Sequence, residues 1–156
     1  MPKLKKKTAV IIFAVILFFL PWIVFPLYNN IVAANYLKQL ESLPLPPQTE
    51  ICGSVWEVGK LSGNGDNTDY AAVIIISSEL MQNELEKHYA IEKFSPARSS
   101  HSRHTIDIGE VQDGRMNTSG LRLSKPMKIT FEDRKNYFYI IFYDSGYPAL
   151  FDIRSG

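Results

Sequence analysis

Residues Thr8 to Tyr28, TAVIIFAVILFFLPWIVFPLY, form a run of 21 positions without one charged side chain. A helix rises about 1.5 Å per residue, so the run reaches roughly 31 Å, the thickness of one hydrocarbon core. Soluble core helices rarely sustain such a run, and a transmembrane helix is its natural reading. Lys3, Lys5, Lys6 and Lys7 precede it, whereas Lys38 is the one basic residue in the fifteen positions after Tyr28. Basic residues resist translocation, so the expected orientation holds residues 1–7 in the cytoplasm as a basic tail. Residues 8–28 are then the signal anchor, with the rest of the chain outside. Trp22 and Tyr28 suit the outer membrane interface, where amphipathic rings settle.

Two other readings compete. A signal peptide cleaved near Ala34, after Val32-Ala33-Ala34, would release a soluble secreted factor. Pro21 favours it, because the block Ala9–Leu20 has the length of a signal h-region. Against it, Pro21–Tyr28 stays apolar and Ala34 lies far beyond Leu20. A buried soluble helix is the third reading. Pro21 and Pro26 each remove a backbone donor and are expected to kink the span. A lipoprotein is disfavoured, since Cys52 follows Thr49-Glu50-Ile51 instead of small residues.

Beyond the run, residues 29–47 read as a stalk helix and a Pro-rich spacer. Ile31, Ala34, Leu37 and Leu40 share one helical face, and Pro44, Pro46 and Pro47 end it. Residues 48–156 suffice for one extracytoplasmic α+β domain. Setting aside the four N-terminal lysines leaves 13 basic residues against 16 acidic ones, a net charge of −3. That balance argues against nucleic acid as a partner. A single cysteine excludes a disulfide framework and a multi-cysteine zinc site.

The domain pattern is mostly strand: Thr49–Leu61, Tyr70–Ser77, Thr105–Val111, Met127–Phe131, Asn136–Asp144 and Ala149–Arg154, with a short strand at Ile91–Phe94. A helix capped by Ser77 or Ser78 runs to Tyr89, with Met81, Leu85 and Tyr89 on its core face. Asn136–Asp144, with the core YFYIIFY, is apolar on both faces and is expected to be central. The fold class is therefore α+β: a transmembrane helix, then a small, mostly antiparallel sheet of five or six strands with one packed helix.

GKLSGNGDNTDY at Gly59–Tyr70, ELEKHYA at Glu84–Ala90 and the closing FDIRSG resemble a loose group of small, membrane-anchored exported proteins of Gram-positive bacteria. These are turn and strand motifs covering about half the chain. The resemblance implies the anchor and the topology. It implies no activity and carries over no functional residues.

Four constellations are candidates for chemistry. Asn64, Asp66 and Asp69 crowd oxygen ligands into a turn and could hold calcium, although the EF-hand spacing is not met. The plain alternative is a hairpin connection that uses Gly and Asn for positive φ. His101, His104 and Asp107, with Arg98 and Arg103, are candidates for metal or anion binding or for contact with anionic lipid or wall polymer. Spacings of three would gather these groups on a helix, but on a strand they alternate between faces. Ser99 or Ser100 with the same histidines supplies the residue types of a hydrolase, without an elbow or oxyanion signature. Tyr137, Tyr139 and Tyr143 lie on the surplus face of the aromatic strand and are expected at a partner surface, with core packing the alternative. Cys52 reads as buried packing or as a link between two chains.

The leading expectation is a non-enzymatic interaction domain at the outer face of a plasma membrane. Its partners would be the lipid bilayer and another envelope protein or polymer, without a cofactor. The alternatives are an envelope hydrolase or metal-binding protein using His101, His104 and Asp107, and the secreted factor.

Overall fold

The computed structural model describes residues 6–63, 67–90, 103–118, 120–127, 129–132, 135–148 and 150–155. Helix α1 spans Lys6–Glu41 as one piece of 36 residues and contains Pro21 and Pro26. The most apolar window of this helix holds no buried residue, and its mean hydropathy of 2.8 and the length of the helix suffice to cross a membrane. Beyond that window the same helix dips into the core, where Asn29, Ala33, Tyr36 and Leu40 are buried.

Five antiparallel strands follow: β1 (Thr49–Gly59), β2 (Asn67–Ser78), β3 (Arg103–Gln112), β4 (Arg115–Met116) and β5 (Asn136–Pro148). Their order is β1-β2-β5-β3-β4, so β5 is central as its two apolar faces require. Helix α2 (Gln82–Tyr89) lies between β2 and β3 in the chain, and a 3-10 turn, Ile153–Ser155, ends the described chain.

Alternation along β2 and β5 builds two cores. Tyr70, Ala72, Ile74 and Ile76 of β2 and Phe138, Ile140 and Phe142 of β5 pack beneath Ala33, Tyr36 and Leu40 of α1 and Leu85 and Tyr89 of α2. On the opposite face Val73, Ile75, Tyr137, Tyr139 and Ile141 meet Leu121, Leu123, Met127 and Ile129. That second cover is the connection between β4 and β5. It is irregular, not the strand expected at Met127–Phe131. The alternation there is real, but Pro126 lacks a donor. The backbone N–H groups of Ser124 and Lys125 go instead to the buried carboxylate of Glu57, at 2.8 and 3.3 Å. Lys125 Nζ lies 3.4 Å from the centre of the Trp56 ring and pins the connection to β1.

Other boundaries shift for local reasons. Helix α2 starts at Gln82, four or five residues after the expected caps. Ser78 Oγ accepts from Leu80 N, and Glu84 Oε2 accepts from Met81 N. Met81 is left exposed, so only Leu85 and Tyr89 of the expected face are core. Asp113 and Gly114, with φ of 50° and 71°, make a two-residue turn joining β3 to β4. The final expected strand is a turn, with Leu150 at φ 48°. The expected strand Ile91–Phe94 lies outside the described residues.

Candidate functional site

The place where α1 leaves its exposed stretch and enters the domain holds a buried polar cluster. Asn29, Ala33, Tyr36 and Leu40 recur at spacings of four and three, one stripe of a helix. The stripe is rotated from the expected Ile31, Ala34, Leu37 and Leu40: Ile31 is exposed, and Ala34 and Leu37 are half-buried. Two polar side chains direct this rotation because each finds a buried partner. Asn29 Nδ2 donates to Asp152 Oδ2 and Asn29 Oδ1 accepts from Tyr70 Oη, both at 2.8 Å. The Tyr36 hydroxyl donates to Asp144 Oδ2, which also accepts from Tyr147 Oη at 2.6 Å. Burial first, then the hydrogen bond and charge of Asp144, push the Tyr36 hydroxyl far above its ordinary pKa. It therefore stays a proton donor. Its ring packs on Phe142 with centroids 4.6 Å apart.

The C-terminal turn completes the junction. Arg154 grips Asp152 with two guanidinium bonds, Nε to Oδ1 at 2.8 Å and Nη2 to Oδ2 at 2.6 Å. It also reaches α1, donating to Asn30 Oδ1 at 2.7 Å and to the Pro26 carbonyl at 3.2 Å. Burial opposes ionisation of Asp152, but the hydrogen bonds from Arg154 and Asn29 outweigh it and hold the carboxyl below its usual range. Phe151 packs against Trp22 and Phe25 with both centroid distances at 5.6 Å. Lys60 N donates to the Arg154 carbonyl at 2.9 Å, and a Cβ on Gly59 would sit 2.9 Å from that oxygen. Gly59, at φ 145°, thus lets the turn lie against β1.

A second region lies on the other sheet face. Asp107, half-buried, lines two neighbouring grooves. One, about 590 Å³, has Thr105, Ile141, Tyr143, Leu121 and Ser62 among its walls. The other, about 910 Å³, adds Glu110, Asp113, Arg115 and Tyr139. The Tyr139 hydroxyl donates to the Asn117 carbonyl at 2.6 Å. Burial, then the Asp107 charge, raises its pKa. Burial likewise raises that of Tyr143.

The structure distributes the expected site residues as follows. Tyr137 and Tyr139 are buried beneath the β4–β5 connection and do not form an open surface; only Tyr143 stays half-exposed. A segment read as another strand supplies the cover, which the aromatic pattern of β5 alone does not reveal. Asp69 closes the β1–β2 connection: its Oδ2 accepts from the backbone N–H of Leu61 and Ser62 and from Ser62 Oγ at 3.0–3.1 Å. Asn64 and Asp66 lie outside the described residues, as do Arg98, His101, Ser99 and Ser100. Positions 103, 104 and 107 are on β3, opposite Ser145, Asp144 and Ile141. Strand alternation places positions 104 and 107 on opposite faces. The side chains of Arg103 and His104 are outside the description. Among the described residues, no group of three or more His, Cys, Asp or Glu is placed to hold a metal ion. Cys52 is half-buried at the bulge of β1. Lys6 and Lys7 open α1, Trp22 and Tyr28 are exposed on it, and Lys3 and Lys5 lie outside the described residues.

The buried cluster at Asn29, Asp144 and Asp152 was missed by sequence reasoning. Its signal was the pair Asn29-Asn30 directly after the apolar run, with Tyr36 about two turns further on. Chemically it is a clamp: its carboxylates are closed to solvent and accept from α1, β5 and the C-terminal turn, while Tyr70 of β2 donates to Asn29. No family model, no curated protein and no solved structure matches the chain.

Proposed function

We propose that this is a single-pass membrane protein whose α+β domain is a non-enzymatic binding module at the outer face of a plasma membrane. The observation that carries the reading is the division of labour in α1. Its first part is apolar and exposed as lipid contact demands, while its last part is core. A helix shared in this way fixes the height and tilt of the domain over the bilayer. The N-terminal lysines favour a cytoplasmic start and an external domain. The resemblance to small anchored exported proteins agrees with that topology.

The groove at Asp107 and Tyr143 is the surface we assign to a partner, an envelope protein or polymer. It combines a carboxylate, a half-exposed tyrosine and apolar walls. The test has two parts. An Asn117→Cys substitution in a Cys52→Ser background should react with an impermeant maleimide on intact cells. Crosslinking in gently solubilised membranes should capture a partner, and the Asp107→Arg, Tyr143→Ala double variant should lose it. A chain always recovered alone, or a partner indifferent to the double variant, would refute the assignment.

A further inference from the structure

We infer that the C-terminal turn, residues 150–155, is a second membrane-contact element that inserts its apolar side chains beside the α1 span at the lipid interface. The inference rests on the reading of α1 as a membrane span. Leu150, Phe151 and Ile153 are 52%, 40% and 74% exposed, a concentration of large apolar side chains that the other described residues of the domain do not repeat. The patch does not stand alone. Phe151 packs on Trp22 and Phe25, which belong to the uncharged run itself. The patch is therefore continuous with the surface that faces lipid, and lipid is the occupant this continuity selects.

The depth agrees. Trp22 and Phe25 lie six and three residues before Tyr28, the end of the uncharged run. At about 1.5 Å per residue that is roughly 5–9 Å below its outer end. Interfacial apolar segments bury to about 5–10 Å. Arg154 holds the turn at this level through the Pro26 carbonyl and Asn30. Its guanidinium is partly exposed and bonds α1 on either side of Tyr28, the outer end of the uncharged run. Leu150 adds an independent hint. It adopts φ 48°, a conformation for which glycine or asparagine is the usual choice. A leucine held there and half exposed to water is costly twice over, whereas in lipid its side chain has a reason to be present.

The experiment uses the full chain in phosphatidylcholine vesicles. Cysteines are placed singly at Ile153, Leu17 and Glu79 in a Cys52→Ser background and labelled with an environment-sensitive fluorophore. Quenching is read with two sets of lipids, one carrying a nitroxide high on the acyl chain, for 153 and 79, and one carrying it near the chain end, for 17. Glu79 follows β2 at its far end, away from the turn, and serves as the aqueous control. The expected result is strong quenching at 153 and 17 and none at 79. Quenching at 17 with none at 153 would overturn this inference while leaving the span intact. Absence at both would remove the span and the inference together. A Gly59→Ala variant, which pushes the Arg154 carbonyl away, should reduce quenching at 153 and leave that at 17 unchanged. Equal quenching at 153 in this variant would also count against the inference.

Discussion

Removing residues 1–28 and removing residues 1–47 should have opposite consequences. Both deletions take away the apolar run, and both leave Trp56 as the sole tryptophan. They differ by residues 29–47, which carry Asn29, Ala33, Tyr36 and Leu40 into the core. Truncating a buried leucine costs about 2–5 kcal/mol and a buried aromatic about 3–5. A hydrogen bond to a charged group, such as Tyr36 to Asp144, contributes about 1.5–3 kcal/mol. Together with the two bonds of Asn29, the low ends of these values already sum to about 8 kcal/mol for the stripe. Small domains have about 5–15 kcal/mol in total. The chain starting at Asn29 should therefore unfold cooperatively in urea, followed by Trp56 fluorescence and near-UV circular dichroism. The chain starting at Gln48 should lack a cooperative transition. If both unfold at the same midpoint with the same slope, residues 29–41 are a dispensable stalk and the reasoning fails.

Three further outcomes follow from the geometry. Asp152 is ionised below its usual range, so the stability it contributes is complete above about pH 3.9 and is lost as pH falls through the depressed folded value. Asp152→Asn should lower stability at pH 7 by about 1–3 kcal/mol and shrink the difference between pH 7 and pH 3, read from urea midpoints. Gly109→Ala would place a Cβ 2.8 Å from Tyr139 Cε1 and closer still to its hydroxyl, forcing the ring off Asn117. The expected cost is about 1–3 kcal/mol, seen as a lowered Tm, and an unchanged Tm would show that the ring position is misplaced. Lys125→Met removes the cation over Trp56 from an exposed site, so it should shift Trp56 emission while costing only about 0.5–1 kcal/mol.

Much of the fold was legible because hydrophobic pattern and burial coincide there. AAVIII in β2 and YFYIIFY in β5 are fully apolar because both of their faces are covered, and they pair with each other. The pattern misled where burial and pairing part company. Met127 and Ile129 alternate and are half-buried, yet their segment is tied by Glu57 instead of a ladder. It misled again on α1, where the apolar residues of 29–41 suggest the face of Ile31, Ala34 and Leu37 but the buried face is another. The buried stripe there is chosen by polar groups, Asn29 and Tyr36, whose partners lie more than 100 residues away as well as in β2. Among the described residues of the candidate sites, the surroundings of Asp107 and Tyr143 combine exposure with shape. The junction clamp was illegible because it depends on tertiary pairing of Asp144 and Asp152 with a helix that reads as lipid-facing.

A scan of oxygen and aqueous-relaxant accessibility by spin labels placed singly at positions 10–41 of the reconstituted chain tests the central claim most directly. The shared helix predicts oxygen access on every face through position 20, before the Phe151 contacts at Trp22 and Phe25. Beyond it, a helical period should appear with minima at 29, 33, 36 and 40 and a maximum at 31. Uniform aqueous access beyond position 28, or minima at 31, 34 and 37, would contradict it.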